Sequence, residues 1–223
     1  LSIALGGAAF TLYSVGFVYG RVAIVILLYF LTPVWSTLIG RYLMGWQTPR
    51  QRLVAIVVGL AGLGVMLGAD GEVPLPDGAG EWMALIAGLL WSFATTGIRA
   101  KPGLGPLEAA FVFAAGASLA ALALALLLAP PPTGEAMAAA TGRILLLSFF
   151  TGGLWWVLST AALMWATVRL EPARVGILLM TEVVVGAASA ALLAKEHLSL
   201  AEIAGGAMVL AAGFLEVRSR ANG

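Results

Sequence analysis

The stretch that decides the fold is ARVGILLMTEVVVGAASAALLAKEHLSLAEIAGGAMVLAAGFLEV, residues 173–217. Two apolar runs, 173–194 and 199–217, meet at Lys195-Glu196-His197. A helix of about 20 apolar residues crosses the hydrocarbon core of a bilayer, which is roughly 30 Å thick, so the stretch reads as a pair of spans joined by a short polar turn. Glu182 stands near the middle of the first run. An ionisable side chain at that depth costs roughly 2.5 to 3.5 kcal/mol on insertion scales, so it is expected to face a cavity or a partner.

The same pattern continues outward through the chain. Apolar runs between charged, Pro or Gly punctuation predict eight spans, at about 1–19, 22–45, 51–68, 82–98, 106–129, 144–167, 173–194 and 199–217. Turn formers fall where connections are needed, at Thr48-Pro49, Pro74 to Gly80, Lys101-Pro102-Gly103, Pro130 to Gly134 and Glu171-Pro172. Hydrophobic residues make up 61% of the 223 positions and charged residues 10%. A soluble domain is about 45 to 50% apolar and about 25% charged, so no soluble core absorbs the excess. Transmembrane strands would alternate in polarity over about ten residues, whereas these runs are longer and apolar on both phases, which leaves helices. The chain has no Cys, which removes disulfide frameworks, thiol catalysis and cysteine zinc motifs together. A net charge of +1 gives no bulk attraction for nucleic acid. The opening Leu1-Ser2-Ile3 lies within an apolar run with no charged region before it, and reads as the interior of a truncated chain rather than as a signal peptide.

Basic residues set the expected orientation, because short cytoplasmic loops are enriched in Lys and Arg. One set of helix ends carries nine bases, Arg41, Arg50, Arg52, Arg99, Lys101, Arg169, Arg174, Arg218 and Arg220, and the other only Arg21, Arg143 and Lys195. Both termini are therefore expected in the cytoplasm, as for a multi-pass protein of a bacterial inner membrane. The Asp70 to Glu81 loop carries no base, as an external connection would.

Residues 22–68 and 173–217 repeat one another. Ala23 to Thr32-Pro33 matches Ala173 to Glu182-Val183 at an offset of 150, and Thr48, Gln51 and Gly62 are spaced as Ser199, Glu202 and Gly213 are, at an offset of 151. Corresponding helices of the two copies lie five crossings apart, an odd number, so the copies are predicted to point in opposite directions across the bilayer. Inverted repeats are a mark of secondary transporters. Any two helices rich in Ala, Leu and Gly share some resemblance, which is the plainer explanation.

The run Leu27 to Gly45, with Thr48-Pro49-Arg50-Gln51 and the Gly-rich Gly59 to Val65, resembles the EamA-type repeat of the drug/metabolite transporter superfamily. Leu179-Met180-Thr181-Glu182, Leu192 to Ser199 and Ile203-Ala204-Gly205-Gly206 through Gly213 resemble its second repeat. The resemblance implies that residues 1–70 are the C-terminal part of a first repeat and 81–217 a second. The eight spans would then be helices three to ten of a ten-helix transporter. Val183 stands where that family often has Pro after the acid, Thr32 replaces the acid in the first copy, and Gly45-Trp46 replaces a common acid at the end of the second span.

Site candidates follow from polarity at depth. Glu182 is read as a coupling or cation-binding carboxylate, against a role in helix packing. Trp46, Trp82 and Trp165 fall near helix ends, where aromatic belts are expected. Trp35, Trp91, Trp155 and Trp156 lie mid-span, where an indole N–H needs a partner or a wet cavity. Polar residues share helical spacing with three of them: Tyr29, Thr32 and Ser36; Thr95; Ser148, Thr151 and Ser159. Together they predict an aromatic cavity with a few hydroxyls, suited to amphipathic or aromatic small molecules. Core filling, with hydroxyls bonded to their own helices, is the competing account for each. Gly16 and Gly20, and Gly64 and Gly68, are read as close-packing positions that also admit a homodimer. His197, beside Lys195 and Glu196, is read as a solvated helix end.

The expected function is therefore a secondary transporter that exports small metabolites, amino acids or drugs by alternating access, with protons as a candidate coupling ion. A non-transporting scaffold is the alternative. An intramembrane enzyme is not expected: the only His lies at a helix end, no metal-binding His pair exists, and no Gly-rich phosphate loop followed by Lys exists for ATP-driven pumping. No cofactor or metal is implied.

Overall fold

A computed structural model describes residues 1–68, 75–100, 103–128, 142, 146–147, 149–193 and 199–218. Among these the chain is helical, with no strand. The helices are α1 (Ser2–Tyr19), α2 (Val22–Tyr29), α3 (Thr32–Tyr42), α4 (Arg50–Leu67), α5 (Ala79–Ala100) and α6 (Pro106–Leu128). A π-helical segment (Phe149–Trp155) then runs into α7 (Trp156–Arg169), followed by α8 (Pro172–Leu179), α9 (Thr181–Leu193) and α10 (Leu200–Arg218). They compose eight segments long and apolar enough to cross a membrane. With large apolar side chains such as Leu126, Leu127, Phe149 and Phe214 exposed on their outer faces, this is the exterior of a multi-pass membrane protein, where lipid replaces water. Trp82 and Trp165 are exposed near helix ends, and the Arg169 guanidinium lies 4.3 Å from the Trp165 ring centre.

Two of the eight segments are interrupted. The second breaks at Phe30-Leu31, between α2 and α3, and the seventh at Met180, between α8 and α9. The first break has a local cause: Pro33, in the first turn of α3, has no N–H for the Tyr29 carbonyl, and its ring crowds that carbonyl. The Thr32 hydroxyl instead donates to Tyr29 O at 2.6 Å. At the second break Val183 has no such effect. Here the Met180 N–H is shared between Gly176 O at 3.3 Å and Ile177 O at 3.2 Å, and the Thr181 hydroxyl donates to Leu178 O at 2.7 Å. A threonine on the first turn of each following helix thus satisfies a carbonyl freed by the break. The two interrupted segments touch: a Cβ on Gly176 would come within 2.9 Å of the Pro33 ring.

The helices following each interrupted segment, α4 and α10, pack antiparallel. Arg52 near the start of α4 meets Glu216 near the end of α10, while Gly62 meets Gly205. A Cβ on Gly62 would lie 2.7 Å from Gly205 O, so the backbones approach as closely as small residues permit. At the end of α3, Gly45 adopts φ +69° and the Trp46 N–H closes on Gly40 O at 2.8 Å, a left-handed helix stop that turns the chain toward α4. Of the expected close-packing glycines, Gly16 and Gly20 face the start of α5, whereas Gly64 has no neighbouring atom within 4 Å of a would-be Cβ and makes no such contact.

The core lies where α1, α2 and α5 converge with α4, α8 and α10, around Leu28, Tyr29, Trp91, Phe113, Met164, Met180 and Val209. α5 and α6 cover α1, and α5 also covers α2 and α3. Among the described residues, Leu154 and Trp155 of the π-helical segment, Leu158 of α7 and Val185 and Leu192 of α9 are exposed, leaving these helices with bare apolar surface.

Candidate functional site

A cavity of about 450 Å³ opens between the interrupted segments on the α2 and α9 side of the breaks. Its size falls in the range of roughly 300 to 1,000 Å³ typical of small-molecule sites. Phe10 and Tyr13 of α1, Tyr29 and Phe30 at the first break, and Trp91 of α5 supply an aromatic wall. Met66 and Leu67 at the end of α4, Leu163 of α7 and Leu179 of α8 add aliphatic surface. Glu182, on the first turn of α9, and Glu202, on the first turn of α10, bring two carboxylates, and among the described residues no Lys, Arg or His lines the space.

Each acid sits at the positive end of a helix, where negative charge is favoured. Their surroundings differ. Glu202 closes a capping box: its Oε2 accepts the Ser199 N–H at 2.7 Å, and the Ser199 hydroxyl accepts the Glu202 N–H at 3.2 Å. Glu182 is exposed and lines the cavity together with Tyr13 and Tyr29. Those two rings are stacked, with centres 3.9 Å apart and planes at 20°. Tyr13 also meets Phe17 edge-on, and Trp91 meets Phe113 edge-on, so the wall is braced from behind.

Of the residues singled out in the sequence, Tyr29, Trp91 and Glu182 come together on this cavity. Thr32 lies behind it, serving the Tyr29 carbonyl. Thr95 is fully buried and donates to its own helix, at Trp91 O (2.9 Å) and Ser92 O (3.2 Å). Trp35 and Ser36 lie beyond the break on α3, away from the cavity, and the Trp35 Nε1 and Ser36 Oγ are buried without a hydrogen-bond partner. Trp155, 74% exposed, lies on the outer face of the π-helical segment with Thr151 and Ser159. Their hydroxyls donate to Leu147 O at 2.6 Å and Trp155 O at 2.9 Å, as Ser and Thr do when no external partner is available. These three do not line the cavity. Ser148, Lys195, Glu196 and His197 fall outside the described residues. Tyr13 and Phe10 are additions to the site: α1 carries no mid-helix tryptophan or charged group to mark them in the sequence.

Beyond the breaks an ion-pair network joins the helices. Arg52 is 7% exposed and holds Glu216, itself fully buried, through Nε and Nη2, each 3.1 Å from Oε1. Its Nη1 pairs with Glu171, the residue before α8. Arg174 donates to Glu216 O at 3.2 Å and Val217 O at 3.4 Å. This network ties α4 to α8 and α10. Beside it Ser36, Thr37 and Arg41 line a second space of about 10 Å³, room for about one water. Arg52 and Met66, on one helix, are separated by about 21 Å of axial rise, so the network and the open cavity occupy opposite ends of the α4–α10 pair.

No protein-family model matches the chain, and no curated protein matches it. Several solved structures match, among them a crystal structure that aligns with a TM-score of 0.72 and 20% identity, over 96% of this chain and 76% of the other. The chain is similar to it in fold.

Proposed function

We propose that the chain is a secondary transporter that exports small metabolites, amino acids or drugs by alternating access, with Glu182 recognising or coupling charge. The observation that carries this reading is the position of Glu182: a carboxylate on the first turn of a half-helix, facing an aromatic cavity beside two interrupted helices. Discontinuous helices meeting at a substrate site recur in such transporters. A scaffold needs neither the open cavity nor an acid within it.

We read residues 22–68 and 173–217 as inverted copies. Their breaks fall at matching places, and α4 and α10 run antiparallel. On this reading, and by resemblance to the EamA-type repeat, the spans are helices three to ten of ten. The bare face of α7 and α9 is where two further helices would lie, as α5 and α6 lie on α1 to α3. With the termini cytoplasmic, the Arg52 network closes the inner end and the cavity opens outward, one of the two states that alternating access requires.

The test is flux in proteoliposomes under an imposed pH gradient, for a panel of amino acids and aromatic cations, with the parent protein and Glu182→Gln. Gradient-driven flux in the parent that is lost in the variant is the expected result. Flux unchanged by the substitution returns Glu182 to a packing role, and no flux for any compound favours the scaffold.

A further inference from the structure

Among the described residues two carboxylates line the cavity and no basic side chain does. An anionic solute would bury its charge against Glu182 unpaired, and burying an unpaired charge is among the costliest events in a low-dielectric site. The start of α9, the helix end that would otherwise favour an anion, carries Glu182 on its own first turn. A zwitterion would satisfy one end and strand the other. Glu202 adds negative charge at the rim even while it caps α10.

The remaining wall suits a cation with an apolar body. The stacked Tyr13 and Tyr29 rings stand beside Glu182, and Phe10 and Trp91 line the same space. Aromatic faces attract a cation within about 6 Å of the ring centre, most strongly when it is desolvated. A neighbouring carboxylate adds direct pairing. We propose that this cavity binds monovalent organic cations, an amine or quaternary ammonium carried on an aromatic or aliphatic body, with Glu182 as the counter-ion and the Tyr13–Tyr29 pair as the aromatic face. The assignment rests on the transporter reading for its purpose but not for its test, which measures binding.

The test is equilibrium dialysis of three probes of nearly equal shape against the protein in nanodiscs, with empty nanodiscs subtracted. The probes are benzyltrimethylammonium, its uncharged carbon isostere neopentylbenzene, and benzylsulfonate. The cation is expected to bind about tenfold or more tightly than either of the others. Glu182→Gln should remove about tenfold of that preference while leaving neopentylbenzene unaffected, Glu182→Asp should retain most of it, and Tyr13→Leu should weaken the cation severalfold. Retention by the Asp variant excludes simple misfolding. Equal binding of the three probes, or preference for the sulfonate, overturns the assignment. Cation-selective binding in a protein that moves nothing across the proteoliposome membrane upholds the site and removes the transport reading. Flux of neutral or anionic solutes without cation-selective binding does the reverse.

Discussion

Removing the Arg52 guanidinium should do two separable things. Arg52 meets a fully buried carboxylate on α10 and a second, on Glu171, whose side chain is 45% exposed. Breaking a buried pair by deleting one partner costs about 3 to 5 kcal/mol, because the other charge remains buried, whereas an exposed pair is worth about 0 to 1 kcal/mol. Arg52→Ala should therefore lower stability by about 3 kcal/mol or more, and Glu171→Ala by less than about 1 kcal/mol. For a chain of this size 1 kcal/mol corresponds to about 2 to 4 °C in Tm, so the two variants should differ by roughly 5 °C or more in thermal unfolding in detergent. Replacing both Arg52 and Glu216 with Met and Leu should recover much of the loss, because no fully buried charge is then left unpaired. The double variant should still lack the tie between α4 and α10, and should populate the state open at that end. Equal, small effects of Arg52→Ala and Glu171→Ala would refute the reasoning, as would a double variant no more stable than Arg52→Ala.

Three further outcomes follow from packing and capping. Gly62→Val should cost about 1 to 3 kcal/mol, because even a Cβ there would meet Gly205 O at 2.7 Å, whereas Gly64→Ala, with open space around it, should be neutral or stabilising by up to about 1 kcal/mol; thermal unfolding separates them. Ser199→Ala should cost about 1 kcal/mol through loss of the capping box, visible as faster amide exchange in the first turn of α10. Trp155→Ala and Ser159→Ala should leave solute affinity unchanged, because both side chains lie outside the cavity, while Trp91→Ala should weaken it about tenfold, as measured by the same dialysis.

Much of the architecture was legible because the bilayer imposes a length and a polarity that a one-dimensional reading can count. Eight apolar runs became eight segments, and the Pro33 break follows from a missing N–H at a readable position. The break at Met180 was less legible. Pro is absent there, and the interruption arises from shared carbonyls and a threonine hydroxyl that only three-dimensional placement reveals. Glu182 was conspicuous because an acid in an apolar run is expensive. The aromatic wall was harder, since a tryptophan's depth is readable but the direction in which it points is not. Trp91 faces inward and Trp155 outward, from helices of similar composition. Tyr13 went unnoticed for the same reason: its importance comes from stacking on Tyr29, which is remote in sequence. The Arg52 network looked like a topological charge pattern, and its partners Glu171 and Glu216 lie 119 and 164 residues away.

Alternating access, as proposed, requires that one cavity be reached from each side of the membrane in turn. The chain has no native Cys, so a single Ala187→Cys on the α9 wall of the cavity gives an unambiguous probe. Its modification by a membrane-impermeant maleimide, applied to one face and then the other of oriented vesicles, is the most direct measurement. The account predicts labelling from the face opposite the Arg52 network in the parent background, and a shift of labelling to the network's own face when Arg52→Ala is added. Labelling from both faces at once, or from the same face whatever becomes of Arg52, would contradict it.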